Sequence, residues 1–188
     1  QKGTIGRVRY IYSNRLSLGK LRKEEDVLWS FAPHDISMIL DLVNEKLLSI
    51  EAFGGSYLHK KVKDTTVTLL KFKKNIKAHI FVSWLHPYKD QRLVVVGEKG
   101  MLVFADVLDN KNKLLFYRHD VRWDGNIPVI NKTEGKRIPF NYTKEPLLLE
   151  CEAFIEWLKL DVIPASSCEE GLNVLKVLEL AKEKLKKW

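Results

Sequence analysis

The chain has 188 residues, 45% hydrophobic, 10% aromatic and 30% charged, with 32 Lys and Arg against 24 Asp and Glu and a formal net charge of +8. That length and apolar content fit one domain with a sizeable core and exclude a disordered chain. No apolar run approaches the ~20 residues of a membrane helix, and Gln1–Tyr10 lacks the apolar stretch of a secretion signal, so the sequence reads as cytoplasmic with no membrane contact.

Excess lysine and arginine raise the local potential for anions, including the phosphates of a nucleic acid or a small molecule. Here the lysines are interspersed with glutamates as on a solvated surface, and no recognition motif accompanies them, so no nucleic-acid partner is expected. Cys151 and Cys168 lack metal-ligand or redox spacing and are expected to be buried thiols.

Alternation of Ile5, Val8, Tyr10 and Tyr12 predicts a first strand from Gly6 to about Asn14. Leu28, Phe31, Asp35, Met38 and Leu42 then fall at helical spacing, predicting a helix over Val27–Val43 with Asp26 as its N-cap. Pro33 lies inside that helix and should kink or split it before His34. Period-two runs follow at Leu48–Gly54, Thr65–Phe72, Ala78–Trp84, Leu93–Val96 and Met101–Phe104. They read as consecutive antiparallel strands, with hairpin turns at Lys73-Lys-Asn75 and Gly97-Glu-Lys-Gly100.

Residues 107–143 are polar and interrupted by Pro128 and Pro139, which predicts short strands and loops. A helix should start near Pro146 and end near Leu160. A second should follow Ser166 or Ser167, each three residues ahead of a glutamate, with Leu172, Leu175, Leu178 and Leu185 as its apolar face. The fold class implied is α+β: a mainly antiparallel open sheet with helices packed on one face. In Ala78–Trp84 both alternating sets are largely apolar and Leu93–Val96 is apolar throughout, so the uncovered sheet face is expected to meet another subunit.

The ten glycines form neither Gly-x-Gly-x-x-Gly nor a Walker loop, so no cofactor-binding residues are expected in this chain. His34, His59, His79, His86 and His119 contain no pair at the i, i+4 spacing of a zinc site, and no metal is expected. The informative segment is Val27–Leu40. Ser30 and His34 are four apart and share a helix face, which makes His34 a proton-carrier candidate.

The run Gly3-x-Ile-Gly6-x-Val-x-Tyr10, followed by Ser13-Asn-Arg15, Asp26-Val-Leu-Trp29, Ala32-Pro-His-Asp35, Ser83-Trp-Leu-x-Pro87-x-Lys89 and Val96-Gly-Glu-Lys-Gly-Met101, resembles the C-terminal domain of the Gfo/Idh/MocA oxidoreductases (glucose-fructose oxidoreductase, inositol dehydrogenase, MocA). The resemblance covers nearly the whole chain through the order and spacing of its motifs. It implies that residues 1–188 are a single substrate-binding and oligomerisation domain. An N-terminal Rossmann domain, absent from this chain, would bind NAD or NADP and supply a lysine.

The substrate implied is a sugar or nucleotide sugar, and the assembly a homodimer or tetramer through the sheet face. His34 falls on the catalytic histidine. Ser30 stands where the family often has an aspartate, and a serine can hydrogen-bond an imidazole without placing a negative charge beside imidazolium. Arg15, Lys20, Ser30 and Lys89 are the candidate substrate-binding residues, charged or polar donors suited to an oxygen-rich ligand. Trp84 and Tyr88 would stack on a sugar or simply pack. The competing expectation is a non-catalytic sugar-binding or assembly module on the same fold; in either case this chain alone should be inactive.

Overall fold

A computed structural model describes residues 3–139, 144–162 and 167–185. Helix α1 spans Val27–Val43. It begins where the Asp26 carboxylate accepts the Trp29 amide at 3.1 Å, and ends at Asn44, whose left-handed φ of 45° closes the last turn onto the Leu40 carbonyl. Of the kink or split expected at Pro33, the split does not occur: the helix continues from Val27 to Val43. Proline at this position leaves the Trp29 carbonyl without its usual intrahelical donor. Burial of Ala32, Asp35, Ile36 and Ile39 on either side holds the helix together.

The strands are β1 (Val8–Leu16), β2 (Leu47–Gly55), β3 (Thr65–Phe72), β4 (Lys77–Ser83), β5 (Asp90–Gly97), β6 (Gly100–Ala105), β7 (Leu114–Asp124), β8 (Ile127–Lys132) and β9 (Lys136–Arg137). They form one open sheet in the order β2-β3-β4-β1-β5-β6-β7-β8, with β9 also paired to β7. Pairing is antiparallel except between β1 and β4. Both expected hairpin turns form, at residues 73–75 and 97–100. The expected run of consecutive neighbours is broken once, because β1 inserts between β4 and β5.

The register of β1 shifts between Val8 and Tyr10. Ile11 and Ser13, on the face that also carries Arg15, turn toward the helices, whereas Tyr10 and Tyr12 turn to the other face. Residues 114–124 also depart from expectation, forming the longest strand of the sheet.

Helices α2 (Pro146–Leu160) and α3 (Cys168–Leu185) follow. The Ser167 hydroxyl accepts the Glu170 amide at 3.3 Å and so serves as the α3 cap; Ser166 lies outside the described residues. The buried face of α3 is Val174, Val177, Leu178, Ala181 and Leu185, whereas Leu172 and Leu175 of the expected face are exposed. Helices α1 and α3 pack together on one face of the sheet, over Leu70, Phe72, Ile80 and Val82. Helix α2 buries none of its residues. Cys151 on α2 and Cys168 at the start of α3 are both exposed, a correction to the expected buried thiols that follows from where these two helical positions fall.

The other face of the sheet is not covered by α1 or α3, although Val94 at its centre is fully buried among its neighbours. Across it runs a file of register partners: Leu69, His79, Tyr12, Val94, Val103 and Leu115. Beside this file Phe53, Val67 and Phe81 form a second. Tyr12 stacks on the His79 ring with centroids 5.5 Å apart, and the Tyr10 hydroxyl hydrogen-bonds His79 Nδ1. Desolvation by burial holds the His79 imidazole below its ordinary pKa; burial, then the neighbouring Tyr12, push the Tyr10 phenol up.

Candidate active site

Strand β1 delivers the first element of the site. Arg15, one residue from the strand end, reaches α1, where its Nε donates to Asp35 Oδ2 at 2.7 Å and its Nη2 to Oδ1 at 3.4 Å. The Ser13 hydroxyl, on the same strand, donates to Asp35 Oδ1 at 2.5 Å. Asp35 is 1% exposed, so a buried carboxylate with three donors fixes the guanidinium in a planar, two-pronged grip. This agrees with the structural role that its inward position on α1 dictates.

The neighbouring residue, His34, points to a different side of α1 and is exposed. His34 and Arg15 line one cleft of about 800 Å³ on the helix side of the sheet. Its walls also include Trp29, Ser37 and Met38 of α1, Phe104 and Asp106 at the end of β6, and Glu170 and Gly171 from the first turn of α3. The Ser37 hydroxyl donates to Glu170 Oε1 at 2.5 Å, tying α3 to α1 across the cleft. Asp106 is engaged by Lys113 Nζ at 2.9 Å. The Trp29 indole N–H is buried with no acceptor among the described residues.

The cleft therefore combines an exposed imidazole, an anchored guanidinium, two carboxylates and an apolar floor. Such a mixture suits a hydroxyl-rich ligand: a cation and carboxylates to grip oxygens, and a titratable ring to move a proton.

The remaining sequence candidates sit apart. Ser30 lies one turn before His34 on α1, half-buried, and no hydrogen bond joins the two. Lys20 is exposed in the segment between β1 and α1, and Lys89 is exposed in the segment between β4 and β5. Both segments adjoin the end of β1 that carries Arg15, but neither lysine lines the cleft. Trp84 is 2% exposed and packs edge-on against Phe31 at 6.3 Å, which makes it core, while Tyr88 stands 60% exposed.

Sequence reasoning missed Glu170, Asp106 and Ser37. The one available signal was the Ser167-x-x-Glu170 spacing, read as a capping box. The cap forms on the serine side, but the Glu170 carboxylate goes to Ser37 of α1.

Among the described residues no cluster of three or more His, Cys, Asp or Glu could hold a metal ion. Nor do the glycines fit a dinucleotide. A Cβ on Gly97 would meet the Ile5 carbonyl oxygen at 2.2 Å and one on Gly100 the Phe116 ring at 2.5 Å, so these are close-packing positions within a hairpin and not a phosphate cradle.

The family model of the GFO/IDH/MocA C-terminal domain matches residues 1–103. The chain belongs to this family. The match covers β1, α1 and the sheet through β5 and most of β6, and so includes Arg15, His34 and Asp35. No curated protein matches the sequence.

Among solved structures, UDP-N-acetylglucosamine 3-dehydrogenase GnnA from Acidithiobacillus ferrooxidans superposes with a TM-score of 0.80 at 16% identity, over 96% of this chain and 56% of that one. A protein of Magnetospirillum magnetotacticum MS-1 assigned to the oxidoreductases gives 0.75 at 27% identity, over 94% and 55%. Levoglucosan dehydrogenase, solved with NADH and L-sorbose, gives 0.75 at 15% identity, over 99% and 58%. The chain thus spans a little over half the length of the structures it matches. The Gfo/Idh/MocA C-terminal fold, an open sheet with helices packed on it, is the one anticipated from the motif series. None of its helices, among the described residues, is long and apolar enough to cross a membrane.

Proposed function

We propose that this Gfo/Idh/MocA domain is the substrate-side half of a cytoplasmic oxidoreductase that interconverts a secondary alcohol and a ketone on a sugar or nucleotide sugar. The observation that carries the reading is the cleft in which the exposed His34 imidazole and the Asp35-anchored Arg15 guanidinium face one space. In it His34 takes the proton of the reacting hydroxyl, while Arg15 orients the substrate through the N–H groups that Asp35 leaves unused. Lys20 and Lys89, on segments next to the same strand end, reach groups farther along the substrate, such as phosphates. Ser30 supports the His34 face of α1.

The hydride partner would be NAD or NADP, held by a separate dinucleotide-binding domain, since this chain's residues do not fit one. Support comes from the relatives: one of the matched structures was solved with NADH, and another is named a UDP-sugar dehydrogenase. The open sheet face serves assembly, as a homodimer or tetramer.

The test uses the full-length protein with UDP-N-acetylglucosamine or an unmodified hexose as probe, and NAD or NADP as oxidant, followed by nicotinamide absorbance. Turnover should appear with one of these pairs, and His34→Ala should lower kcat by ~10²-fold or more with the melting temperature unchanged. Turnover at the wild-type rate in His34→Ala would remove the histidine from the chemistry. Sugar binding without turnover by the wild type would leave a non-catalytic binding module.

A further inference from the structure

The parallel pairing of β1 with β4 brings together cations that lie far apart in the chain. The ladder starts at the Tyr10–Lys77 register pair. Arg7 and Arg9 come just before Tyr10, and Lys74 and Asn75 lead into Lys77 from the turn between β3 and β4. These six residues line a cleft of about 530 Å³, and no carboxylate lines it among the described residues. The turn holds Lys74 and Asn75 in left-handed backbone, at φ of 55° and 59°. Asparagine tolerates that conformation, whereas lysine adopts it at a cost.

The positive charge around the cleft is only partly offset. Lys77 stands directly opposite Lys71 of β3, so the two ammonium groups share a face, and like charges so placed destabilise a sheet. Neither lysine has an ion pair among the described residues. Glu98 holds Arg7 at 2.8 Å but reaches Arg9 only at 3.8 Å, and Glu45 engages Lys74 at 2.5 Å. Both carboxylates lie outside the cleft lining. Tyr10 adds no negative charge, because burial, then the neighbouring Tyr12, push its phenol above the ordinary value.

A concave surface of one charge sign focuses its field and concentrates counterions. Guanidinium forks and lysine ammonium groups together suit phosphate oxygens, the first by paired hydrogen bonds and the second as point charges. The excess of cations calls for a ligand with several negative charges, and the small volume calls for a compact one. A diphosphate group meets both demands.

We propose that the cleft walled by Arg9, Lys74 and Lys77 binds a small diphosphate-bearing molecule, at a site separate from the His34 cleft. The two clefts share no lining residue. Arg15 lies farther along β1 than Tyr10, ~17 Å away at ~3.3 Å per residue. In a nucleotide sugar the diphosphate is bonded directly to the sugar, so one such molecule does not fill both clefts. The site therefore goes beyond the reaction proposed above and does not depend on it.

Calorimetric titration of the full-length protein with pyrophosphate tests the site, with NAD and NADP present at saturation to keep a dinucleotide site filled. Arg9→Ser/Lys77→Thr would be compared with Lys60→Ser/Lys61→Ser, an equal loss of charge at exposed positions between β2 and β3. Support would be one saturable site with a dissociation constant of ~100 μM or tighter, weakened ~10-fold or more by the first pair and less than about twofold by the second. Thermal melts give an independent reading with Lys77→Thr alone. Without pyrophosphate this variant should melt no lower than the wild type, since the repulsion with Lys71 is gone, and with pyrophosphate only the wild type should gain stability.

No saturable heat, or a wild type that pyrophosphate does not stabilise, would overturn the proposal. Equal weakening by both pairs would overturn it too, by showing diffuse attraction to net charge. A short single-stranded oligonucleotide that binds more tightly than pyrophosphate would overturn the assignment to a small molecule.

Discussion

Replacing Asp35 with alanine tests whether the grip on Arg15 is a structural commitment of the fold. The carboxylate side chain is 2% exposed and the Arg15 side chain 14%, so neither charge has water to fall back on in place. Removing the acceptor strands a guanidinium and the buried Ser13 hydroxyl together. Breaking a buried pair from one side costs about 3–5 kcal/mol. Because Arg15 also lines the open cleft and can turn toward solvent, the lower end applies, about 3 kcal/mol.

At about 2–4 °C per kcal/mol for a chain of this size, the melting temperature should fall by about 6–12 °C. Urea unfolding followed by circular dichroism measures the loss directly. Asp35→Ala/Arg15→Met no longer carries the stranded charge and should be more stable than the sum of the single changes by about 2 kcal/mol. A single-variant loss below about 1 kcal/mol, or strict additivity in the double variant, would refute the account.

Two further outcomes follow from the sheet. Burial lowers the His79 pKa in the folded chain below its ordinary 6.5, so the folded state resists a proton that the unfolded state accepts; stability is then full above 6.5 and is lost as the pH falls below it. A His79→Phe variant should flatten that acid slope in thermal melts between pH 7 and about 5, and equal slopes would dismiss the role of His79. Gly97→Ala should cost about 1–3 kcal/mol, because its Cβ would lie 2.2 Å from the Ile5 carbonyl oxygen; a wild-type urea midpoint would show that the β5–β6 hairpin shifts freely.

Helix boundaries were legible because their signals are local. Asp26 caps α1 and Pro146 opens α2 where the sequence places them. Pairing was not, since periodicity says which residues share a face but not which strands meet. Ile11 pairs with Ala78 and Ser13 with Leu93, contacts that no local pattern encodes. The length of β7 was missed although His119–Asp124 alternates polar and apolar residues as a strand does, because the polar composition of residues 107–143 and the prolines Pro128 and Pro139 outweighed that signal. Pro128 fits in β8 because that strand has one neighbour only.

Of the candidate site, His34 was visible in the spacing of the Val27–Leu40 segment and Arg15 in the series of family-like motifs. Glu170 reaches them from α3, and its partner Ser37 is 133 residues away in the chain, a proximity that packing alone creates. The exposed Cys151 and Cys168 show the same limit, because a cysteine's environment belongs to the helix face on which it lands.

The place of β1 governs how the sheet can be assembled. Strands β2-β3-β4 form one meander of near neighbours and β5-β6-β7-β8 another, and in the finished sheet β1 alone lies between them. Each meander can form quickly from hairpins, but joining them requires β1 to find partners 67 residues away on β4 and 74 to 89 away on β5, a slow step because loop closure must precede the gain. Until then β4 and β5 each present an unpaired edge with apolar residues on both sides, a template for pairing with another chain. The strand that carries Arg15 to the cleft is thus also the one whose delay exposes the chain to aggregation during folding.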